Sequence, residues 1–223
     1  MDIALFTSGG LDYLFRWGHF LAGITWIGLL YYFNFIQAEY FKEADPEHRS
    51  GAIQKLVPRA LWWFRWGAMF TFLTGVVLLS NRYQFLSIDI VVGSTLGTLM
   101  FLNVWLIIWP NQKIVIASAK QVAEGGEPLP NAAAAAPKAG LASRTNTLFS
   151  LPMLFFMGSS AHMPSGLAMD DTNSMALIGA LLVIAVLQVN GMFGKQGPMT
   201  SVSGVITSGF ALTVVLYGIV AVL

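Results

Sequence analysis

The sequence predicts an all-α, polytopic membrane protein, and three observations support this class. The 223 residues are 56% hydrophobic and only 10% charged, whereas a soluble domain has roughly 25% charged residues. The mean hydropathy is +0.66. Several apolar stretches approach the roughly 20 residues that an α-helix needs to cross the hydrocarbon core of a bilayer. The formal net charge of +1 is too small to indicate a nucleic-acid partner.

Six apolar stretches are expected to span the membrane. They are residues 13–36, 60–80, 88–109, 146–163, 175–192 and 202–222. The fourth is short and contains Pro152, which membrane helices tolerate where neighbouring helices satisfy the freed backbone groups. Residues 122–143 are rich in Gly, Pro and Ala without apolar periodicity, and we expect a flexible cytoplasmic linker there. The chain is thus expected to form a single membrane domain over residues 1–223.

The distribution of Lys and Arg predicts the orientation of the spans. The connections after the first, third and fifth spans hold nine of these cations, namely Lys42, Arg49, Lys55, Arg59, Lys113, Lys120, Lys138, Arg144 and Lys195. The other side has two, Arg16 and Arg82. Because cytoplasmic loops are enriched in Lys and Arg, both termini are expected on the periplasmic side of a bacterial inner membrane.

The sequence also excludes several kinds of site. It contains no cysteine, and disulfides, cysteine-ligated iron–sulfur clusters and covalent c-type haem attachment all require thiols. It contains no phosphate-binding glycine loop, no HExxH zinc motif and no GxSxG nucleophile motif. Nucleotide-binding, metalloprotease and hydrolase functions are therefore not indicated.

Two of the three histidines, His19 and His162, lie in apolar stretches, and ionisable residues inside membrane spans are usually functional. His19 lies about six residues, or roughly 9 Å, into a helix that enters from outside. His162 ends a helix that runs outward. Both imidazoles are therefore expected in the outer half of the bilayer, as a shared axial site on a haem iron requires. The alternative is that His19 only hydrogen-bonds a backbone carbonyl of a neighbouring helix.

His19 belongs to a stripe that suggests how a haem is held. His19, Gly23 and Trp26 recur with helical spacing, and Arg16 lies one turn nearer the outer surface. Small residues here would let a flat macrocycle or another helix approach. The guanidinium of Arg16 suits a haem propionate, although it could instead extend to lipid headgroups. We expect a b-type haem with His19 and His162 as axial ligands and Arg16, Gly23 and Trp26 beside it.

For other polar residues the expected roles are structural. Arg65 lies among three tryptophans in the second span, which is typical of an aromatic belt with an arginine that extends to the headgroups. Asn103 and Asn190 are amides that could bind a substrate, but hydrogen bonding between helices is the commoner use of such residues and is expected here. Asp170 and Asp171 lie in a predicted outer loop, where they would attract a basic partner or simply be solvated.

Four sequence blocks resemble the membrane domain of bacterial membrane-bound urate oxidases. In order, they are RWGHFLAGITWIG at 16–28, WWFRWGAMFTFLTG at 62–75, NVWLIIWPNQK at 103–113 and SRTNTLFSLPMLFFMGSSAH at 143–162. The histidine with Trp and Gly seven and nine residues later is also similar to the first helix of small membrane haem proteins that oxidise porphyrinogens.

The resemblance implies eight spans joined to a carboxy-terminal c-type cytochrome, with urate oxidised and electrons leaving to the respiratory chain. This sequence looks like a short form without the cytochrome domain and with two fewer spans. We therefore expect electrons to pass to a separate cytochrome c or another membrane redox subunit. Two alternatives stay open: a non-catalytic structural subunit of a larger respiratory or oxygenase complex, and an oxidase of urate or another small reductant that passes electrons to a separate cytochrome c.

Overall fold

A computed structural model describes residues 4–167 and 174–222, and this part of the chain is helical throughout, without a β-strand. Asp170 and Asp171 lie outside the described residues. The helices are α1 (Ser8–Tyr31), α2 (Ala38–Glu43), α3 (Pro46–Lys55), α4 (Val57–Ser80), α5 (Ile88–Leu102), α6 (Trp109–Ala123), α7 (Ala132–His162), α8 (Ser174–Phe193) and α9 (Val202–Val222). Two π-helical segments, Tyr32–Gln37 and Asn103–Ile108, join α1 to α2 and α5 to α6 without a break.

Five helical stretches of the described residues are long and apolar enough to span a membrane: Ser8–Glu43, Val57–Ser80, Ile88–Ala123, Met175–Phe193 and Val202–Val222. They contain five of the six predicted spans, which confirms the all-helical class. The first and third stretches are each 36 residues long, because the helix continues through a π-helical segment beyond the predicted end. The number of spans and the position of the termini stay predictions.

The remaining predicted span, residues 146–163, corresponds to α7, which is 31 residues long. Its Ser, Thr, Asn and Pro residues lower its hydropathy, so α7 is not among the five apolar stretches. It packs against α1, α5, α6, α8 and α9, and its polar residues Thr145, Asn146, Thr147 and Ser150 are buried. A helix that faces protein on most sides carries polar groups which lipid would not tolerate. α7 is therefore the central helix of the bundle.

The predicted linker is shorter than expected, and its boundaries at 122–143 were wrong. Regular helix is absent only between residues 124 and 131, and residues 132–143 form the first turns of α7. Alanine has the highest helix propensity, and Ala135 and Ala139 are buried because their small side chains let α7 pack closely. Arg144, counted as a residue of this connection, lies inside α7 and is only 6% exposed.

α1 and α4 form an antiparallel pair in which small residues allow close approach. A Cβ atom on Gly67 would lie 3.1 Å from the backbone N of Trp26. One turn further along, a Cβ atom on Gly23 would lie 4.0 Å from the methyl group of Thr71. Gly67, Thr71 and Gly75 follow each other at intervals of four residues, which is the spacing of small residues in packed membrane helices. This pair holds the first candidate ligand, His19, in place.

The two π-helical segments each direct a buried asparagine onto the central helix. From Tyr32–Gln37, Asn34 donates to Ser143 Oγ at 2.8 Å. From Asn103–Ile108, Asn103 donates to Asn146 Oδ1 at 2.8 Å. π-helical turns are rare overall but are frequent at functional sites. Here each segment places one buried asparagine, Asn34 or Asn103, against α7.

Candidate functional site

His19 lies between α1 and α4, and its hydrogen bond determines which imidazole nitrogen carries the proton. Nδ1 is 3.0 Å from Oγ1 of Thr74. The Thr74 hydroxyl donates its own proton to the carbonyl oxygen of Phe70 at 2.6 Å, so Oγ1 accepts from His19. In the neutral ring the proton is then on Nδ1, and Nε2 carries the lone pair. Metal-ligating histidines usually have this arrangement, with the second nitrogen bonded to a protein oxygen.

Gly75 leaves room for this ring. A Cβ atom on Gly75 would lie 3.2 Å from Cε1 of His19, which is tighter than ordinary van der Waals contact. A larger residue at position 75 would require the imidazole to shift. The His19 ring is only partly buried, so one side of it stays accessible from the edge of the α1–α4 pair.

Arg16, the predicted propionate partner, forms an ion pair within α1. Its Nη2 atom lies 2.7 Å from Oδ2 of Asp12, one turn earlier. The Arg16 side chain is 37% exposed, and a guanidinium has five N–H donors, so donors remain for another anion. The ion pair between Asp12 and Arg16 was not predicted, although an acid four residues before an arginine on a helix is a recognisable signal.

Gly23 and Trp26, also predicted beside the haem, face α4. Gly23 meets Thr71, and Trp26 is 2% exposed. The indole Nε1 of Trp26 has no hydrogen-bond partner among the described residues. The small residues of α1 were expected to allow close approach either of a macrocycle or of another helix. At Gly23 the structure shows close approach of a helix, α4.

His162 is the last residue of α7 and is exposed. The hydroxyl groups of Tyr31 in α1 and Ser150 in α7 lie 2.9 Å apart. His19 lies twelve residues before Tyr31, and His162 lies twelve residues after Ser150. Because α1 and α7 run antiparallel, both histidines lie on the same side of this contact. At 1.5 Å per residue this is about 18 Å for both. His19 and His162 therefore lie at the same end of the bundle, called here the histidine end. Within the described residues, no hydrogen bond or ion pair joins them.

Asp89 ties the end of α7 to α5, a role that the sequence analysis missed. Its carboxylate is fully buried and accepts from Ser159 Oγ at 3.2 Å, Ser165 Oγ at 2.6 Å and Ser165 N at 3.0 Å. Several donors and the positive end of the α5 dipole stabilise such a buried charge. Ser159 and Ser165 lie three residues before and after His162. Asp89 therefore sets where α7 ends and the following segment lies.

A second polar cluster, made of amides, lies inside the bundle. Asn103 donates to Asn146 Oδ1 at 2.8 Å and to Gln188 Oε1 at 3.1 Å, while Gln188 Nε2 donates to Asn103 Oδ1 at 2.7 Å. The interhelical role expected of Asn103 is confirmed. Asn190 is different, because it bonds the backbone of Lys195 just after α8. The amides of Asn103, Asn146 and Gln188 thus join the π-helical segment Asn103–Ile108 to α7 and α8.

Comparison with known families decides the relationship of this chain. The family model described as Urate oxidase N-terminal matches residues 87–221. The chain belongs to this family. The matched region runs from the residue before α5 almost to the end of α9 and includes His162 and two of the four resembling blocks, 103–113 and 143–162; His19 and the other two blocks precede it. No curated protein and no solved structure matches the chain.

Proposed function

We propose that this member of the urate oxidase N-terminal family is a membrane-embedded b-type haem protein that takes part in electron transfer. The observation that carries the proposal is the hydrogen bond between His19 and Thr74, which leaves Nε2 of His19 free to bind iron. His162, at the same end of the bundle, is the proposed second axial ligand. When bound, haem b supplies the one-electron chemistry of its iron.

The residues around His19 fit a haem ligand by their chemistry. Thr74 orients the imidazole and increases the basicity of Nε2, because its hydroxyl oxygen accepts a hydrogen bond from Nδ1–H of His19. Arg16 keeps free N–H donors for a propionate while Asp12 holds its guanidinium near the end of α1. Asp89 anchors the turns on both sides of His162. Gly23 and Trp26 contribute indirectly, by seating α1 on α4.

Electron exchange is proposed to involve a separate protein. These 223 residues contain no cysteine, so no covalently attached c-type haem lies within them. We propose cytochrome c or another membrane redox subunit as the partner, at the periplasmic face of the bacterial inner membrane. The histidine end is the end that the distribution of Lys and Arg places at this face.

A second candidate is oxidation of urate, or another small reductant, with electrons passed to a separate cytochrome c. The family match favours this candidate. A purified protein that binds haem and is reduced by urate under anaerobic conditions would support it. Haem reduction by other donors but not by urate would favour electron transfer alone.

The test of the haem proposal is an absorption spectrum of the purified protein and three single variants. We expect a reduced-minus-oxidised b-haem band in the wild type, and loss or conversion of the low-spin spectrum in His19→Ala and in His162→Ala. His48→Ala is the matched control, because the His48 side chain is 70% exposed and lies in α3.

Each outcome of this experiment has a clear meaning. An unchanged low-spin spectrum in either ligand variant would remove that histidine from the site. A wild-type protein without haem, purified from cells that make haem, would contradict the cofactor and favour a non-catalytic subunit of a larger respiratory or oxygenase complex.

A further inference from the structure

Two cations share one aromatic ring in the half of the bundle that lies away from the histidine end. The guanidinium carbon of Arg65, in α4, lies 3.9 Å from the centre of the Trp109 ring, in α6. Nζ of Lys113, one turn further along α6, lies 5.5 Å from the same ring. A cation over an indole ring is attracted by the negative face of the ring. Both positive charges therefore lie against the ring of Trp109.

Among the described residues, neither cation has an anionic partner. Cation–π contacts leave N–H donors unused, and Nε of Arg65 is buried without a hydrogen-bond partner among the described residues. The three ion pairs found in the described part of the chain include neither Arg65 nor Lys113. An acceptor that carries negative charge would satisfy the unused N–H donors of both cations.

The surroundings place the pair at the level of lipid headgroups. Trp62 and Trp63, one turn before Arg65 on α4, are 46% and 61% exposed. Exposed tryptophans in membrane helices mark the interface between the hydrocarbon core and the headgroups. Lys113 is also exposed, so the cation pair opens towards lipid.

We propose that Arg65 and Lys113, seated on Trp109, bind the phosphate of an anionic phospholipid such as phosphatidylglycerol. A forked guanidinium binds two phosphate oxygens at once, and an ammonium adds a point charge. Basic pockets between membrane helices bind anionic headgroups in this way. A choline headgroup is disfavoured because its own cation would meet Arg65 and Lys113. This site does not depend on the proposed haem.

The test measures the thermal midpoint of the full chain in detergent during titration with phosphatidylglycerol, phosphatidylcholine or inorganic phosphate. Phosphatidylglycerol is expected to raise the midpoint of the wild type, and the other two are not. The apparent affinity for phosphatidylglycerol should fall about fivefold in Arg65→Gln and in Lys113→Gln, as loss of one cation at an anionic surface predicts. Arg65→Lys should be intermediate, because it keeps the charge and loses the fork.

Lys120→Gln is the matched control. Lys120 lies on α6 seven residues after Lys113, is exposed and contacts no aromatic ring within the described residues. The proposal is overturned if Lys120→Gln weakens binding equally, if phosphatidylcholine or inorganic phosphate stabilises equally, or if Lys113→Gln binds as the wild type does. Because Lys113 is exposed, its variant provides the test even where Arg65→Gln fails to fold.

Discussion

At the scale of single residues, a hydroxyl group of α4 controls the chemistry of His19. Oγ1 of Thr74 is bonded on one side to Nδ1 of His19 and on the other to the carbonyl of Phe70. The hydroxyl has one proton, and the short bond to the carbonyl uses it. The tautomer of His19 therefore follows from a residue that carries no charge and belongs to another helix.

Thr74→Val is expected to weaken haem binding or change the reduction potential without affecting membrane insertion. Valine keeps the shape of threonine but accepts no hydrogen bond, so Nδ1–H of His19 loses its partner. Loss of such a partner typically changes metal affinity or activity by about 10–100-fold. Haem titration and potentiometry measure the effect.

Thr213→Val is the control for this change, because the Thr213 hydroxyl bonds only the Gly209 carbonyl within α9. Equal haem affinity and equal potential in Thr74→Val and in the wild type would mean that the bond to His19 has no functional role.

Buried polar groups differ in how well they are paired. Asp89 receives three hydrogen bonds, whereas Nη1 of Arg144 is buried without a partner among the described residues. A buried charge is stable only when donors, acceptors or opposite charges replace its water. The complete pairing of Asp89 is consistent with a fixed joint between α5 and the end of α7.

At the scale of helices, the position of His19 depends on the α1–α4 contact. A Cβ atom on residue 67 would lie 3.1 Å from the backbone N of Trp26 and 3.3 Å from the backbone O of Ala22, so a side chain there requires the backbone of α1 to shift. Backbone atoms do not move aside as the end of a flexible side chain does. The distance between the two helices, and with it the bond from His19 to Thr74, is therefore sensitive to the size of residue 67.

Gly67→Ala is expected to lower the stability of the folded protein by about 1–3 kcal/mol, the usual cost of overpacking a core. Gly28→Ala is the matched control, since a Cβ atom on Gly28 meets nothing within 4 Å and alanine favours the helix. Denaturation in detergent, followed by circular dichroism, measures both. The packing account fails if Gly67→Ala is as stable as Gly28→Ala.

At the scale of the whole molecule, the orientation in the membrane decides which partner meets the histidine end. The predicted orientation places Ser8 outside and the connection between α6 and α7 inside. The absence of cysteine makes this testable, because single cysteines at Ser8 and Glu124, both exposed, are each the only thiol. An impermeant thiol reagent on intact cells is expected to label Ser8→Cys but not Glu124→Cys.

Permeabilised cells are the control for this experiment, because both cysteines should then react. Labelling of Glu124→Cys alone in intact cells would show that the orientation is opposite to the predicted one. The histidine end would then face the cytoplasm, and exchange of electrons with a periplasmic cytochrome c would be ruled out.

The sequence by itself determined the helical class, the apolar stretches and the family. Residues 202–222 were predicted as a span and form α9, because an apolar run of this length has few alternatives in a bilayer. The stripe of His19, Gly23 and Trp26 was also predicted correctly, since helical spacing places these residues on one face. These properties depend on residues that are close together in the chain.

Only the tertiary structure decided what each face meets. The partner of His19 is 55 residues away, and Ser159 is 70 residues from Asp89; no local period relates such residues. The same holds for α7, whose alanine-rich start was predicted as a linker: high helix propensity and burial against other helices made it a helix. Packing in three dimensions determines which neighbour, whether helix, side chain or cofactor, fills a given space. The linear sequence pattern does not carry this information.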